Sequence, residues 1–202
     1  MADVPEQASA QIIAAGHRMD ARGWVPATAG NISVRLSESA IAITASGGHK
    51  GFLTHNQLMV VDLEGRPLSP GKPSAETLLH CQIYRHFAGA GAVLHGHSVA
   101  GTVLSMATRA DEIRFDQYEL LKAFEGQTTH AASLPLPLVD NNQDIATLAD
   151  AMEPRLVHAP LGYLIRGHGV YVWGPDMATA LARLEGLEFL LACELERRKL
   201  AR

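Results

Sequence analysis

The spacing of apolar residues along the chain predicts helices interspersed with short strands. Between about Glu6 and Arg22, residues Ala8, Ile12 and Met19 recur at helical intervals, which predicts a helix. The same spacing predicts four more helices, over Ala75–Phe87, Val99–Met106, Ile145–Met152 and Met177–Lys199, and a further candidate over Tyr118–Phe124. Short apolar runs predict strands at Ile32–Leu36, Ile41–Thr44, Met59–Leu63, Ala92–His95, Tyr163–Ile165 and Val170–Trp173.

The order of these elements is mixed rather than a regular strand–helix alternation. Leu134–Leu138 carries Pro135 and Pro137 and is predicted to be extended, because proline disfavours helix at the preceding residue. No glycine-rich dinucleotide fingerprint opens a helix after the first strand. We therefore expect an α/β sandwich, with a central sheet and flanking helices, formed by residues 1–202 as one domain.

Composition narrows the possible environments and partners. Of 202 residues, 47% are hydrophobic and 19% charged, so a sizeable core can be buried. The net charge of -4 argues against a general binder of nucleic acid or anionic membranes. No apolar run approaches the roughly 20 residues that span a membrane, and no secretory signal is visible. With only two cysteines, we expect a reduced, cytoplasmic protein.

Ten histidines stand out, and three of them could bind a metal. His95 and His97 lie two apart at the end of a predicted strand, so their side chains point to the same face. His168 lies between two glycines that connect two apolar runs. Three imidazoles can hold Zn²⁺ and leave a fourth position open for water or substrate. Spacing leaves open whether they meet, and a hydrogen-bonded strand end with an incidental turn histidine is the alternative.

Three loops rich in glycine and small polar residues could bind an anion. They are Thr28–Asn31, Ser46–Gly51 and Lys72–Glu76. Backbone N–H groups in such turns and at helix starts attract phosphate, although each loop alone could be an ordinary turn. A P-loop is excluded, because Pro73 stands where a hydroxyl residue should bind Mg²⁺.

A competing motif overlaps the histidine pair. Gly96–Ala100 nearly matches the nucleophile elbow of serine hydrolases, with Ser98 at its centre. Asp140 or Asp150, followed by His168, would complete the chain order of a catalytic triad. Alanine replaces the last glycine of the motif, and no oxyanion loop lies upstream.

Taken together and in order, these motifs resemble the class II aldolase/adducin family. The resemblance runs from about Ile12 to Trp173. It is carried by five segments, Gly23–Ser33, Ala45–Gly51, Lys72–Glu76, Ala92–Ser98 and Ile165–Gly174. It implies the fold of the class II aldolases, a three-layer sandwich with a central, mostly antiparallel sheet, and a homotetramer with the site near a subunit interface.

The resemblance also implies roles for individual residues. It implies one Zn²⁺ per subunit bound by His95, His97 and His168. The phosphate of a sugar-phosphate substrate would be bound by Asn31, Ser46, Gly47, Lys50 and Ser74. Glu76 stands where family aldolases place a catalytic glutamate, and Glu119 matches the acid/base of the family's dehydratases. Both are expected catalytic residues, and either could also be a first-turn glutamate that favours its helix.

Within the family, the resemblance is to the dehydratases of methionine salvage. It implies zinc-dependent loss of water from 5-methylthioribulose 1-phosphate. An aldolase or epimerase that acts on another sugar phosphate is the first alternative. The serine hydrolase described above and a metal-free assembly module are the others, although retention of all three histidines argues against the last.

Overall fold

The computed structural model describes residues 2–201 as five α-helices around a sheet of eight strands. The helices are α1 Glu6–Ala21, α2 Thr77–His86, α3 Val99–Ala107, α4 Ile145–Leu156 and α5 Met177–Leu200. The strands are β1 Asn31–Arg35, β2 Ala40–Thr44, β3 Leu58–Asp62, β4 Ala92–Gly96, β5 Glu112–Asp116, β6 Ser133–Val139, β7 Tyr163–Ile165 and β8 Val170–Gly174. Short 3-10 helices occupy Lys50–Phe52, His55–Gln57 and Glu119–Ala123.

The sheet places β4 at its centre. The strand order is β3-β2-β1-β4-β8-β7-β6-β5, and only the pairing of β6 with β7 is parallel among the described strands. On one side of β4, Asn31 of β1 pairs with His95. On the other side, Tyr171 of β8 pairs with the same histidine. The register therefore brings the loops around three strands to one end of β4.

Helices cover both faces of this sheet, as the alternation of side chains requires. Leu94 of β4 belongs to a core with residues of α1, α3 and α5. Its neighbour Val93 points the other way, into a core with residues of α2 and α4. These two cores make three layers, which confirms the predicted α/β sandwich with a mostly antiparallel sheet.

One strand was missing from the sequence prediction. Strand β5 alternates buried Ile113 and Phe115 with exposed Arg114 and Asp116, a pattern typical of an edge strand. It pairs with β6, where the extended conformation expected for the proline-containing run is confirmed. Helix α4 continues past the expected end at Met152, with Pro154 inside it. The candidate helix over Tyr118–Phe124 is only a short 3-10 helix.

Within residues 2–201, no helix is both long enough and apolar enough to cross a bilayer.

Candidate metal centre

His95, His97 and His168 converge at the end of β4. One nitrogen from each imidazole lies within 4.8 Å of those of the other two. The Nε2 atoms of His95 and His97 are 2.9 Å apart. His168 reaches them from the turn between β7 and β8, because β8 is the sheet neighbour of β4. Glycine at position 169 permits this approach, since a Cβ there would lie 3.0 Å from Cε1 of His95 and collide with the Gly96 carbonyl.

Two of these imidazoles are held by hydrogen bonds on their outer nitrogen. Nδ1 of His95 donates to the carbonyl oxygen of Val170 at 2.9 Å. Nδ1 of His168 lies 3.4 Å from the amide oxygen of Asn141, which can only accept. The contact with Val170 fixes the tautomer of His95 that leaves its Nε2 unprotonated and available to a metal, and the contact with Asn141 orients the ring of His168. The face of His95 also stacks on Tyr171, with ring centroids 4.1 Å apart.

The environment keeps the strand histidines neutral. Burial lowers the pKa of His97 to about 4, and it holds the pKa of the completely buried His95 well below its usual range. A neutral imidazole is the form that binds a metal ion. Three imidazole nitrogens at one point match the ligand set of a metal site with an open position. The described residues can therefore hold a divalent metal.

Glu76 lies beside this cluster, at the residue that precedes α2. Its Oε2 accepts hydrogen bonds from Asn31 at 2.8 Å and from Ser74 at 2.6 Å. Its Oε1 is 3.5 Å from Nε2 of His168. The adjacent imidazole of His168 and these hydrogen bonds hold the pKa of Glu76 far below its ordinary value. The carboxylate is thus fixed, ionised and within reach of a bound metal or substrate.

A polar cavity of about 210 Å³ opens next to His97. The residues expected to bind phosphate all line it, namely Asn31, Ser46, Gly47, Lys50 and Ser74. Gly47 has a φ of 85°, a left-handed conformation that glycine tolerates without strain. The sequence-predicted residues are thus brought together in space. The donors of Asn31, Ser46 and Lys50 suit a small anion, and the carboxylate of Glu76 lines the same cavity on the side of the histidines.

Lys50 is almost completely buried at the wall of this cavity. Its Nζ donates to the carbonyl oxygens of Thr28 at 2.8 Å and Gly48 at 2.6 Å. Burial lowers the pKa of Lys50 to about 8, while the negative charge of Glu76 opposes that shift. An ammonium group has three donors, so one remains for a ligand in the cavity.

Glu119 does not join this cluster within its own chain. Its side chain is 72% exposed and pairs with Lys122 at 2.5 Å. It does not line the cavity; its only histidine contact among the described residues is with His130 at 3.9 Å, and none links it to His95, His97 or His168. The structure therefore gathers Glu76 with the metal centre but leaves Glu119 on a separate surface.

The serine-hydrolase alternative lacks the required contacts. Oγ of Ser98 is buried and accepts a hydrogen bond from the backbone of Gly101 at 3.0 Å, as the N-cap of α3. Asp140 pairs with Arg166 at 2.7 Å instead of with a histidine. His168 contacts Asn141 and Glu76. Ser98 is consequently a helix cap rather than an activated nucleophile.

Sequence reasoning missed Asn141 and Tyr171. Asn141 follows β6, which is parallel to β7, so the ends of both strands meet at the edge of the sheet where His168 lies. The polar run Asp140–Gln143 directly after an extended segment was the available signal. Tyr171 lies in an apolar strand, and only the register with His95 shows its place.

Comparisons with known proteins agree along nearly the whole chain. The family model described as "Class II Aldolase and Adducin N-terminal domain" matches residues 10–195. A methylthioribulose-1-phosphate dehydratase of Granulibacter bethesdensis is 68% identical, over 97% of this chain and 94% of that relative. The enzyme of the same name from Gluconobacter oxydans is 64% identical, over 93% and 90%.

A solved structure supports the fold independently. The crystal structure of L-fuculose-1-phosphate aldolase from Thermus thermophilus superposes with a TM-score of 0.78 at 26% identity. The match covers 96% of this chain and 97% of that one.

Proposed function

Since the chain belongs to the class II aldolase and adducin family, we propose that it catalyses the reaction named for the two dehydratases above. It is a hydro-lyase that removes water from 5-methylthioribulose 1-phosphate in methionine salvage. The product is 2,3-diketo-5-methylthiopentyl 1-phosphate. The observation that carries this proposal is the convergence of three histidine nitrogens beside a small cavity lined by hydrogen-bond donors.

We propose that the metal is Zn²⁺, one per subunit, bound by His95, His97 and His168. Three neutral imidazoles with an open fourth position are a common ligand set of catalytic zinc. When bound, the ion supplies a Lewis acid that makes a hydrogen next to a ketone more acidic.

The cavity next to His97 is proposed to bind the substrate phosphate. Its donors are the hydroxyl of Ser46, the second N–H of the Asn31 amide, the backbone N–H of Gly47 and the ammonium of Lys50. Ser74, whose hydroxyl proton is donated to Glu76, joins them when it turns from Glu76 to the phosphate. Phosphate held there leaves the C2 and C3 atoms of the sugar at the histidines. Binding energy from this unreactive end can then orient the reacting carbons.

The chain itself supplies the proton transfers. We propose that Glu119 removes the C3 proton, and that the departing C4 hydroxyl is protonated as water forms. Glu76 lies 3.5 Å from His168 and is the second candidate for an acid/base. Its fixed position beside the histidines, where the resemblance places the glutamate of family aldolases, is the one observation that favours an aldolase or epimerase instead.

The exposed position of Glu119 is compatible with a catalytic role in the homotetramer that the resemblance implies. A general base must lie within hydrogen-bond reach of the proton that it removes. We propose that Glu119 of one subunit enters the site of a neighbouring subunit. Residues 1–202 are proposed to form one domain per subunit of this assembly, located in the cytoplasm.

The test is a product analysis on the purified chain. 5-Methylthioribulose 1-phosphate is incubated with the zinc-loaded protein and followed by NMR. Loss of water to the diketone, abolished by chelation and restored by zinc, is the expected result. Carbon–carbon cleavage or a change only at a stereocentre would replace the dehydratase by an aldolase or an epimerase.

A further inference from the structure

Helix α3 exposes a stripe of apolar side chains. Val99 is 77% exposed, Val103 43% and Met106 69%. Residues spaced by three or four positions lie on one face of a helix, so these three form a single surface. We call Val99, Val103 and Met106 the α3 stripe. A contiguous apolar surface of this kind is typical of a site that binds another protein or an apolar part of a ligand.

The α3 stripe runs between two of the metal-binding histidines. Helix α3 begins two residues after His97, with Ser98 as its cap. Near its other end, Cγ of Met106 lies 3.4 Å from the position of a Cβ at Gly167, the residue before His168. Both ends of the stripe therefore flank the metal centre.

The stripe and the phosphate cavity lie on opposite sides of β4. The cavity is lined by residues from the loops around β1 and β2 and from the start of α2. The opposite, buried face of α3 packs over the other half of the sheet, where α3 contacts β7, and the stripe faces solvent on that side. His97 lines the cavity and Val99 begins α3 two residues later, so a ligand that extends from the cavity past His97 reaches the start of the α3 stripe.

The proposed substrate has matching polarity along its length. Its phosphate is on C1, its reacting carbons are C2 to C4, and its methylthio group is on C5. With phosphate in the cavity and C2 and C3 at the histidines, C5 points away from the cavity. A methylthio group gains from leaving water for an apolar surface, whereas a hydroxyl group at the same position does not.

We propose that the α3 stripe receives the methylthio group and sets the preference for this substrate over 5-hydroxy sugar phosphates. The inference rests on the proposed function. Met106 suits this contact, because its flexible thioether side chain adapts to an apolar ligand. Val99 and Val103 supply branched side chains on either side of the first turn of α3.

The test compares two substrates in matched variants. kcat/KM is measured for 5-methylthioribulose 1-phosphate and for ribulose 1-phosphate, which carries a hydroxyl on C5. Val99→Thr, Val103→Thr and Met106→Gln make the stripe polar with little change in shape. Val157→Thr is the control, because Val157 is 64% exposed at the end of α4 and outside the stripe.

We expect each stripe variant to lower the ratio of the two kcat/KM values on the order of 10-fold, and the control to leave it unchanged. A ratio that stays within about twofold in all three variants overturns the inference alone. The inference is also overturned if the variants lose their oligomeric state while the ratio of the two kcat/KM values is unchanged. That result would assign the stripe to a contact between copies of the chain. If the unaltered chain dehydrates neither substrate, the proposed function fails first.

Discussion

The aromatic ring of Tyr171 lies flat on the imidazole of His95, with centroids 4.1 Å apart and planes inclined by 15°. The two residues are paired across β4 and β8, and both are completely buried. His95 is thereby held on its face by Tyr171 and on its outer edge by the carbonyl of Val170. A buried tyrosine in this place would position His95 as the proposed metal ligand.

Two substitutions of Tyr171 should distinguish the contribution of its aromatic ring to zinc affinity from that of its hydroxyl. The hydroxyl has no hydrogen-bond partner among the described residues, so Tyr171→Phe should leave zinc affinity within about twofold. Tyr171→Leu removes the stacked face and should weaken zinc binding about 10-fold. The measurement is a competition titration with a chromogenic chelator. Tyr163→Leu is the packing control, because Tyr163 stacks on the far side of Tyr171; an equal loss of affinity there would contradict the positioning role.

The histidine cluster predicts a defined metal content. The unaltered chain should contain about one zinc ion per subunit, and His97→Ala or His168→Ala should lose most of it. His17→Ala is the matched control, because His17 is exposed on α1 and should have no effect. Elemental analysis after dialysis gives the result. Full zinc occupancy in both ligand variants would mean that the ion binds elsewhere.

Glu119→Gln should lower kcat by about 100-fold or more at unchanged zinc content, because it removes a proton acceptor and no metal ligand. Glu125→Gln is its control, since Glu125 is also an exposed, ion-paired glutamate. Kinetics and elemental analysis of the two variants provide the comparison.

A mixing experiment tests whether Glu119 acts in a neighbouring subunit. Inactive Glu119→Gln and His168→Ala chains are unfolded together and reassembled. If each site takes its base from the next subunit, random assembly should restore about a quarter of the original activity. Without any recovery from the mixture, Glu119 would have to act within its own chain.

Glu188 predicts a pH dependence of stability. It is 4% exposed on α5, and burial raises its pKa to about 7, although a hydrogen bond from Ser98 opposes the shift. Below the folded pKa the protonated side chain fits its site. Between the unfolded pKa and the folded pKa, the folded state holds a proton that the unfolded state has released. The contribution of Glu188 to the free energy of unfolding therefore falls by about 3 kcal/mol as the pH rises through this window. Glu188 lines a surface groove, and the other charged side chains that line this groove are Arg22 and Glu185.

Thermal unfolding at about pH 5.5 and about pH 8 gives the measurement. Relative to the unaltered chain, Glu188→Gln should gain more stability at the higher pH than at the lower one, whereas the buried neutral histidines act equally in both chains. Glu196→Gln, on an exposed position of the same helix, should leave the pH dependence as it is. A stability difference between Glu188→Gln and the unaltered chain that is the same at both pH values would contradict the raised pKa of Glu188.

The helices, most strands and the donors of the cavity could be predicted from local pattern. The pairing of β8 with β4 could not, because it joins residues far apart in the sequence, and this pairing is what brings His168 to His95. Strand β5 was missed because its charged residues outnumber its apolar ones. The separation of Glu119 from the histidines is likewise a tertiary property that no motif encodes.

The central position of β4 has a consequence for how the ion would leave. His95 is bonded into the interior by two flanking strands, so its amide should exchange with deuterium only on near-global opening. His168 lies on a short turn beside an exposed glycine and can swing away at much lower cost. A bound ion should therefore dissociate first from His168 in the turn and last from His95 on β4. The motion of the β7–β8 turn, rather than opening of the sheet, would limit the rate at which the ion leaves.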